Sequence, residues 1–199
     1  AIKKANNSYQ KSYGNDEISY KAKKLIREVF ESPEASVFFV STGTAANAIA
    51  LSCLCPPWAT IFCHENSHIE NDECNAPEFF CGGAKLTLVK GKNGKIDKKE
   101  LLNKLKIADN SSVHMSQKGV LSITNSTECG TVYNAEEIKE ISRIAKSFNI
   151  PIHMDGARFA NAVSSLRESP ANLSWRAGID VLSFGGTKNS CGWGFGVLG

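Results

Sequence analysis

Two short stretches of this 199-residue chain end in side chains that could do chemistry together. Val181-Leu182-Ser183-Phe184-Gly185-Gly186-Thr187-Lys188-Asn189 delivers an amine, Lys188. Ile152-His153-Met154-Asp155-Gly156-Ala157-Arg158 delivers a carboxylate, Asp155, with the Arg158 guanidinium one helical turn on. Both open as apolar or β-branched runs and close on small or polar residues, the pattern of a buried strand presenting side chains at its carboxyl end. A lysine able to form a Schiff base and an acid able to pair with a protonated pyridine nitrogen are what a pyridoxal phosphate site asks of its protein. Each also has an ordinary reading: a solvated lysine, and an aspartate that caps a helix or pairs with Arg158.

Other residues suit the same idea. Gly43-Thr44 stands between a strand and a helix start, where unpaired N–H groups and the helix dipole favour a phosphate, although Ser and Thr are good N-caps in any case. His64-Glu65-Asn66-Ser67-His68 has the H-E-x-x-H spacing of zinc hydrolases. That chemistry needs both histidines on one face of a regular helix. Here the motif follows a strand and runs into Asn71, Asn75 and Pro77, so zinc is carried only as an alternative. The acidic run Glu70-Asn71-Asp72-Glu73 reads as a solvated loop, whereas the imidazole of His68 could stack on a flat cofactor ring. Lysines between Lys90 and Lys106 lack interleaved aromatics and read as a solvated helix face.

The elements that must position these groups follow from periodicity. Helices are expected from Asn15-Asp16 to Pro33, over Ala45–Leu54, from Asp97 to about Ile107, after the Asn134 cap, and over Ala157–Leu166. Strands are expected at Ser36–Val40, Ala59–Cys63, Leu86–Val89, Gly119–Ile123, Ile150–Met154 and Val181–Phe184, with an irregular stretch from His64 to Gly83. Such β-α-β alternation implies an α/β fold: three layers, α/β/α, around a mostly parallel sheet. Ligands then sit outside the carboxyl ends of the strands. Ser41 to Thr44, His64 to His68, Thr124 to Glu128, Asp155 and Lys188 all fall on that rim.

Apolar content of 42% with 22% charged residues suits one globular domain, and a formal charge of +3 is too small to argue for nucleic acid. No apolar run approaches the roughly 18 residues that a membrane span needs. The seven cysteines form no C-x-x-C pair, and Cys53, Cys55 and Cys63 lie in apolar runs. Buried, reduced thiols in a cytoplasmic protein are therefore expected.

Taken jointly, Ser-Thr-Gly-Thr-Ala-Ala-Asn (41–47), Ser-His-Ile-Glu-Asn-Asp-Glu-Cys (67–74), His-Met-Asp-Gly-Ala-Arg-Phe-Ala-Asn-Ala (153–162) and Ser-Phe-Gly-Gly-Thr-Lys-Asn (183–189) resemble the low-specificity L-threonine aldolases. These belong to the β-eliminating lyase/threonine aldolase group of fold-type-I pyridoxal phosphate enzymes, and the wording is nearest the branch that includes phenylserine aldolases. The resemblance implies a PLP-dependent transferase-like large domain over residues 1–199, without the N-terminal segment and small C-terminal domain of the family. It implies cleavage of threonine or a related β-hydroxy-α-amino acid to glycine and an aldehyde, with β-elimination or racemisation as alternatives. Lys188 matches the Schiff-base lysine, Asp155 the pyridinium partner and His68 the ring-stacking histidine. Arg158 matches the arginine by the phenolic oxygen and substrate carboxylate, and Gly43 and Thr44 match the phosphate cup, with Thr187 among the cofactor-binding residues. Glu128 falls where many relatives carry a histidine, so the base is His68 or a water held by Glu128. The resemblance also implies a homodimer or homotetramer.

Overall fold

The computed structural model describes residues 6, 8–109, 112–189 and 196–198. Its regular elements are α1 (Glu17–Val29), β1 (Phe38–Val40), α2 (Gly43–Leu54), β2 (Ala59–His64), α3 (His68–Asn71), α4 (Ala76–Phe80) and β3 (Lys85–Val89). There follow β4 (Gly91–Lys92), β5 (Lys95–Ile96), α5 (Lys98–Asp109), β6 (Gln117–Thr124), α6 (Ala135–Ser147), β7 (Ile152–Gly156), α7 (Phe159–Leu166), β8 (Val181–Gly185) and β9 (Gly196–Leu198). Side-chain caps start four of the helices, with Asp97 accepting the Lys99 and Glu100 N–H groups at 2.9 Å ahead of α5. Asp16 accepts from the Ser19 N–H at 2.8 Å and Thr42 from that of Ala45 at 3.0 Å. Asn134 and Glu137 exchange bonds in a capping box, satisfying N–H groups that α6 cannot pair internally.

The main sheet runs in the order β1-β9-β8-β7-β6-β2-β3. From β3 to β8 the pairings are parallel, and β9 lies antiparallel to both β8 and β1. Side chains alternate across a strand, so each central strand serves two layers. Phe62, Leu121, Ile123, Ile152, Met154 and Leu182 enter the larger core with α5, α6 and α7. Ile61, Cys63 and Val120 face the other way, into a smaller cluster with Leu51 of α2. On that second face the neighbouring positions of β6, β7 and β8 are polar: Ser122, Thr124, His153, Asp155 and Ser183, all buried. Beside them α2 carries buried Ala46, Ala48 and Ala50, whose small side chains let the helix lie close to the strands.

The expected three-layer, mostly parallel α/β fold is formed, with differences. The antiparallel β9 closes one side of the parallel block, and β4 with β5 makes a hairpin in a stretch where no strand was expected. Asn93 and Gly94 occupy that turn with φ of 55° and 79°, the left-handed conformations that a two-residue hairpin requires. A Cβ on Gly94 would stand 2.8 Å from Thr127, so glycine is needed there for space as well. The stretch expected to be irregular contains α3 and α4. Cys53 is exposed, against expectation, because its position in α2 turns away from the sheet. Cys55 and Cys63 are buried as expected, and burial pushes both thiols up to about 12. Cys191 lies outside the described residues.

Candidate active site

Beyond the carboxyl ends of β7 and β8 lies a cavity of about 300 Å³. Gly43 and Thr44 of α2, His68 at the start of α3, Asp155 of β7, and Thr187 and Lys188 after β8 all line it. Six residues singled out in sequence thus open onto one space. Lys188 is exposed on a short 3₁₀ turn spanning Thr187–Asn189, whereas Asp155 is 4% exposed.

Asp155 is held on both carboxylate oxygens. Oδ1 accepts the N–H of Ala157 at 2.9 Å, and Oδ2 accepts Nδ2 of Asn47 at 3.1 Å. Gly156 is needed for space, since a Cβ would stand 2.7 Å from Leu182 and 2.9 Å from the carbonyl oxygen of Ser183. Asp155 thus has neighbours other than Arg158, the ordinary partner weighed above.

The second carboxylate was missed in sequence. Glu73, read there as part of a solvated loop, is buried and lines the cavity. Its Oε1 lies 2.8 Å from His68 Nδ1 and accepts Nδ2 of Asn47 at 2.8 Å. Burial pushes the Glu73 carboxyl up, while the bonds from His68 and Asn47 pull it down. One amide therefore bridges two buried acids. Asn47 Oδ1 and Glu73 Oε2 are buried without a partner. Asn47 stood in a quoted motif, four residues after Gly43, at a spacing that shares a helix face. Glu73 also stood in a quoted motif (67–74), but its acidic neighbours gave no sign that it alone would be buried.

Below Asp155 on the same strand face, His153 is wholly buried between two serines. Nδ1 lies 2.9 Å from Ser122 Oγ and Nε2 2.9 Å from Ser183 Oγ. Burial pushes its pKa well below the usual histidine value, so the neutral imidazole links β6, β7 and β8.

Glu128 and Arg158 do not line the cavity. Glu128 Oε1 accepts the backbone N–H of His68 at 3.1 Å, and burial pushes its carboxyl up. Arg158 is half-buried at the N-cap position of α7, close enough to Glu128 to counter part of that rise. Asn125 and Thr127 serve the chain itself: Asn125 exchanges bonds with the backbone of Tyr133, and Thr127 bonds Thr131. That part of the expected rim is structural, because these side chains satisfy turn backbone.

The zinc geometry is not formed. His64 ends β2, its Nδ1 accepts the N–H of Asn66 at 3.0 Å, and His68 begins a separate four-residue helix. The ligand atoms of His68, Glu73 and Asp155 do lie within 4.8 Å of one another. Hydrogen bonds already knit them together, directly between His68 and Glu73 and through Asn47 to Asp155.

The residues fit pyridoxal phosphate. At one end Thr42 accepts the Ala45 N–H through Oγ1 and that of Ala46 through its carbonyl, leaving the first two N–H groups of α2 for an anion. A Cβ on Gly43 would meet nothing within 4 Å, so this helix end is open to a ligand. At the other end stand a buried acid and the partnerless oxygens of Asn47 and Glu73.

Residues 4–198 match the family described as beta-eliminating lyase. The chain is 43% identical over its whole length to a low-specificity L-threonine aldolase of Pseudomonas aeruginosa, covering 56% of that protein. A low-specificity L-threonine aldolase from another Pseudomonas strain matches at the same 43%, again with 56% covered. Among solved structures, a Leishmania major threonine aldolase superposes with a TM-score of 0.90 at 32% identity, over 99% of this chain and 56% of that one. The chain thus spans little more than half the length of these relatives.

Proposed function

The chain belongs to the beta-eliminating lyase family, and from that premise we propose that it is the cofactor-binding large domain of a pyridoxal-phosphate-dependent aldolase. The reaction cleaves the Cα–Cβ bond of threonine or a related β-hydroxy-α-amino acid, giving glycine and an aldehyde. The observation that carries this reading is that Lys188, Asp155 and the start of α2 open onto one cavity of about 300 Å³.

When bound, pyridoxal phosphate supplies an electron-withdrawing ring that accepts the electron pair released by the broken bond. The N–H groups of Gly43 and Thr44, aided by the helix dipole, hold its phosphate. Asp155, fixed by Asn47 and Ala157, keeps a proton on the ring nitrogen. Lys188 would supply the amine that holds the cofactor covalently. Arg158 is assigned to the substrate carboxylate and phenolic oxygen by family resemblance alone. The hydroxyl proton passes to His68, because Glu128 stands off the cavity wall with one oxygen engaged by the His68 N–H. Assembly as a homodimer or homotetramer belongs to the same reading, and light scattering of the purified protein tests it. No helix among the described residues is long and apolar enough to cross a membrane.

Borohydride reduction of the cofactor-loaded protein, followed by peptide mapping, should place the phosphopyridoxyl mass on Lys188. Labelling of another lysine, or of none, would remove Lys188 from its role. Product analysis separates the reactions: glycine and acetaldehyde from threonine support the aldolase. Pyruvate and ammonia from serine, with no glycine from threonine, would establish β-elimination instead.

A further inference from the structure

The base assigned above needs a nitrogen free to receive a proton, and the structure supplies a reason why one is. We propose that Glu73 is a positioning residue that accepts a hydrogen bond from Nδ1–H of His68, leaving Nε2 as the proton acceptor, while Asn47 ties Glu73 to Asp155 in one buried unit. The inference rests on the reading of His68 as the base.

Three features carry it. First, the Glu73 side chain is wholly enclosed although Asp72 and Cys74 on either side are exposed. A buried acid is a poor choice for packing, since an apolar residue of similar size would serve as well or better. Second, Glu73 Oε1 already accepts Nδ2 of Asn47 at 2.8 Å. An ionised carboxylate only accepts, so the 2.8 Å contact from His68 Nδ1 makes that nitrogen the donor. The hydrogen bond at one ring nitrogen decides which nitrogen stays bare. Third, the Asn47 amide donates to Glu73 and Asp155 alike, placing N–H dipoles between two like charges. The other charged groups around the pair are Glu128, bonded to the His68 backbone, Arg158 near Glu128, and Lys188 on the same cavity wall.

The chain has four histidines, few enough for nitrogen NMR of the ¹⁵N-labelled full chain without cofactor, with His68 assigned by His68→Asn. In the wild type His68 should carry its proton on Nδ1. Glu73→Gln, whose amide oxygen accepts the same proton, should keep that tautomer, and Glu73→Ala should lose it. In the holoenzyme Glu73→Ala should lower kcat at least about tenfold while KM changes less than about twofold. A wild-type proton on Nε2, an unchanged tautomer in Glu73→Ala, or an unchanged kcat would overturn the proposal. Should Glu73→Ala not fold, the wild-type and Glu73→Gln spectra decide alone. The tautomer is read without cofactor, so its failure leaves the Lys188 reading standing. Failure of borohydride labelling at Lys188 would remove that reading and leave the tautomer result intact.

Discussion

Two cavities meet at Phe184, and they differ in what their walls hold. The one described above measures about 300 Å³ and gathers Asn47, Glu73, Asp155 and Lys188. The other is larger, about 370 Å³, and is walled chiefly by Ile26, Phe30, Val37, Trp175, Ile179 and Leu182. Its charged members are occupied by the fold: Arg27 Nε donates to the carbonyl of Ala35, and Asp180 accepts the Ile152 N–H. Phe30 stacks on Phe159 and meets Phe184 edge-on, so this cavity lies along an aromatic seam of the core. Size and enclosure therefore do not distinguish a site. Its marks are buried acids and amides kept at the strand ends, where burial is costly unless a ligand or a network repays it.

Substitutions in the two walls should separate accordingly. The largest effect belongs to Lys188→Ala, expected to abolish borohydride labelling and lower activity at least about a thousandfold, or about 4 kcal/mol of barrier. Retained labelling would break the contrast at its strongest point. Asp155→Asn keeps the shape but weakens the hold on the ring-nitrogen proton, and should cost about a hundredfold in kcat, or about 2.7 kcal/mol. A spectrum of bound cofactor unchanged from wild type would argue that Asp155 faces something else. On the apolar side, Ile179→Ala should destabilise the protein by about 2 kcal/mol in denaturant titration. Cofactor affinity should stay within about twofold, and a larger loss would show that the two cavities act as one.

The smallest effect concerns pH. Burial raises the Glu128 carboxyl above its ordinary value of 4.5. A raised folded-state pKa means the folded chain binds the proton more tightly than the unfolded one. The resulting stability is present below 4.5 and is lost as pH climbs through the folded value. Glu128→Gln removes this loss, so its melting temperature relative to wild type should rise by about a degree between pH 4.5 and 7. A constant or falling difference would mean that Glu128 gains more from the His68 N–H than it loses to burial.

The strand that carries Asp155 shows how much was legible. Ile152-His153-Met154-Asp155 alternates apolar with polar, and alternation alone puts His153 and Asp155 on one face of the sheet. The strand ending near Lys188 and the helix opening at Gly43 were equally plain, because caps, glycines and periodicity are local signals. The hairpin was available in Asn93-Gly94, although no strand was expected on either side of it. Glu73 stood in the quoted 67–74 motif, yet its burial was not legible: five residues from His68 in an acidic run, it looks like its exposed neighbours. Glu128, expected on the rim, does not line the cavity, and the turn before it is spent on Asn125, Thr127 and Tyr133.

Order along the chain was thus enough to decide the strongly patterned strands and helices, the face that most of their side chains take, and that an amine and an acid arrive at strand ends. Packing decided the rest. Only when α2 lies on the sheet does Asn47 reach both Glu73, 26 residues on, and Asp155, 108 residues on. A hydrogen bond spanning such a distance leaves no trace in local periodicity, because each partner sees only its own helix or strand until the layers close.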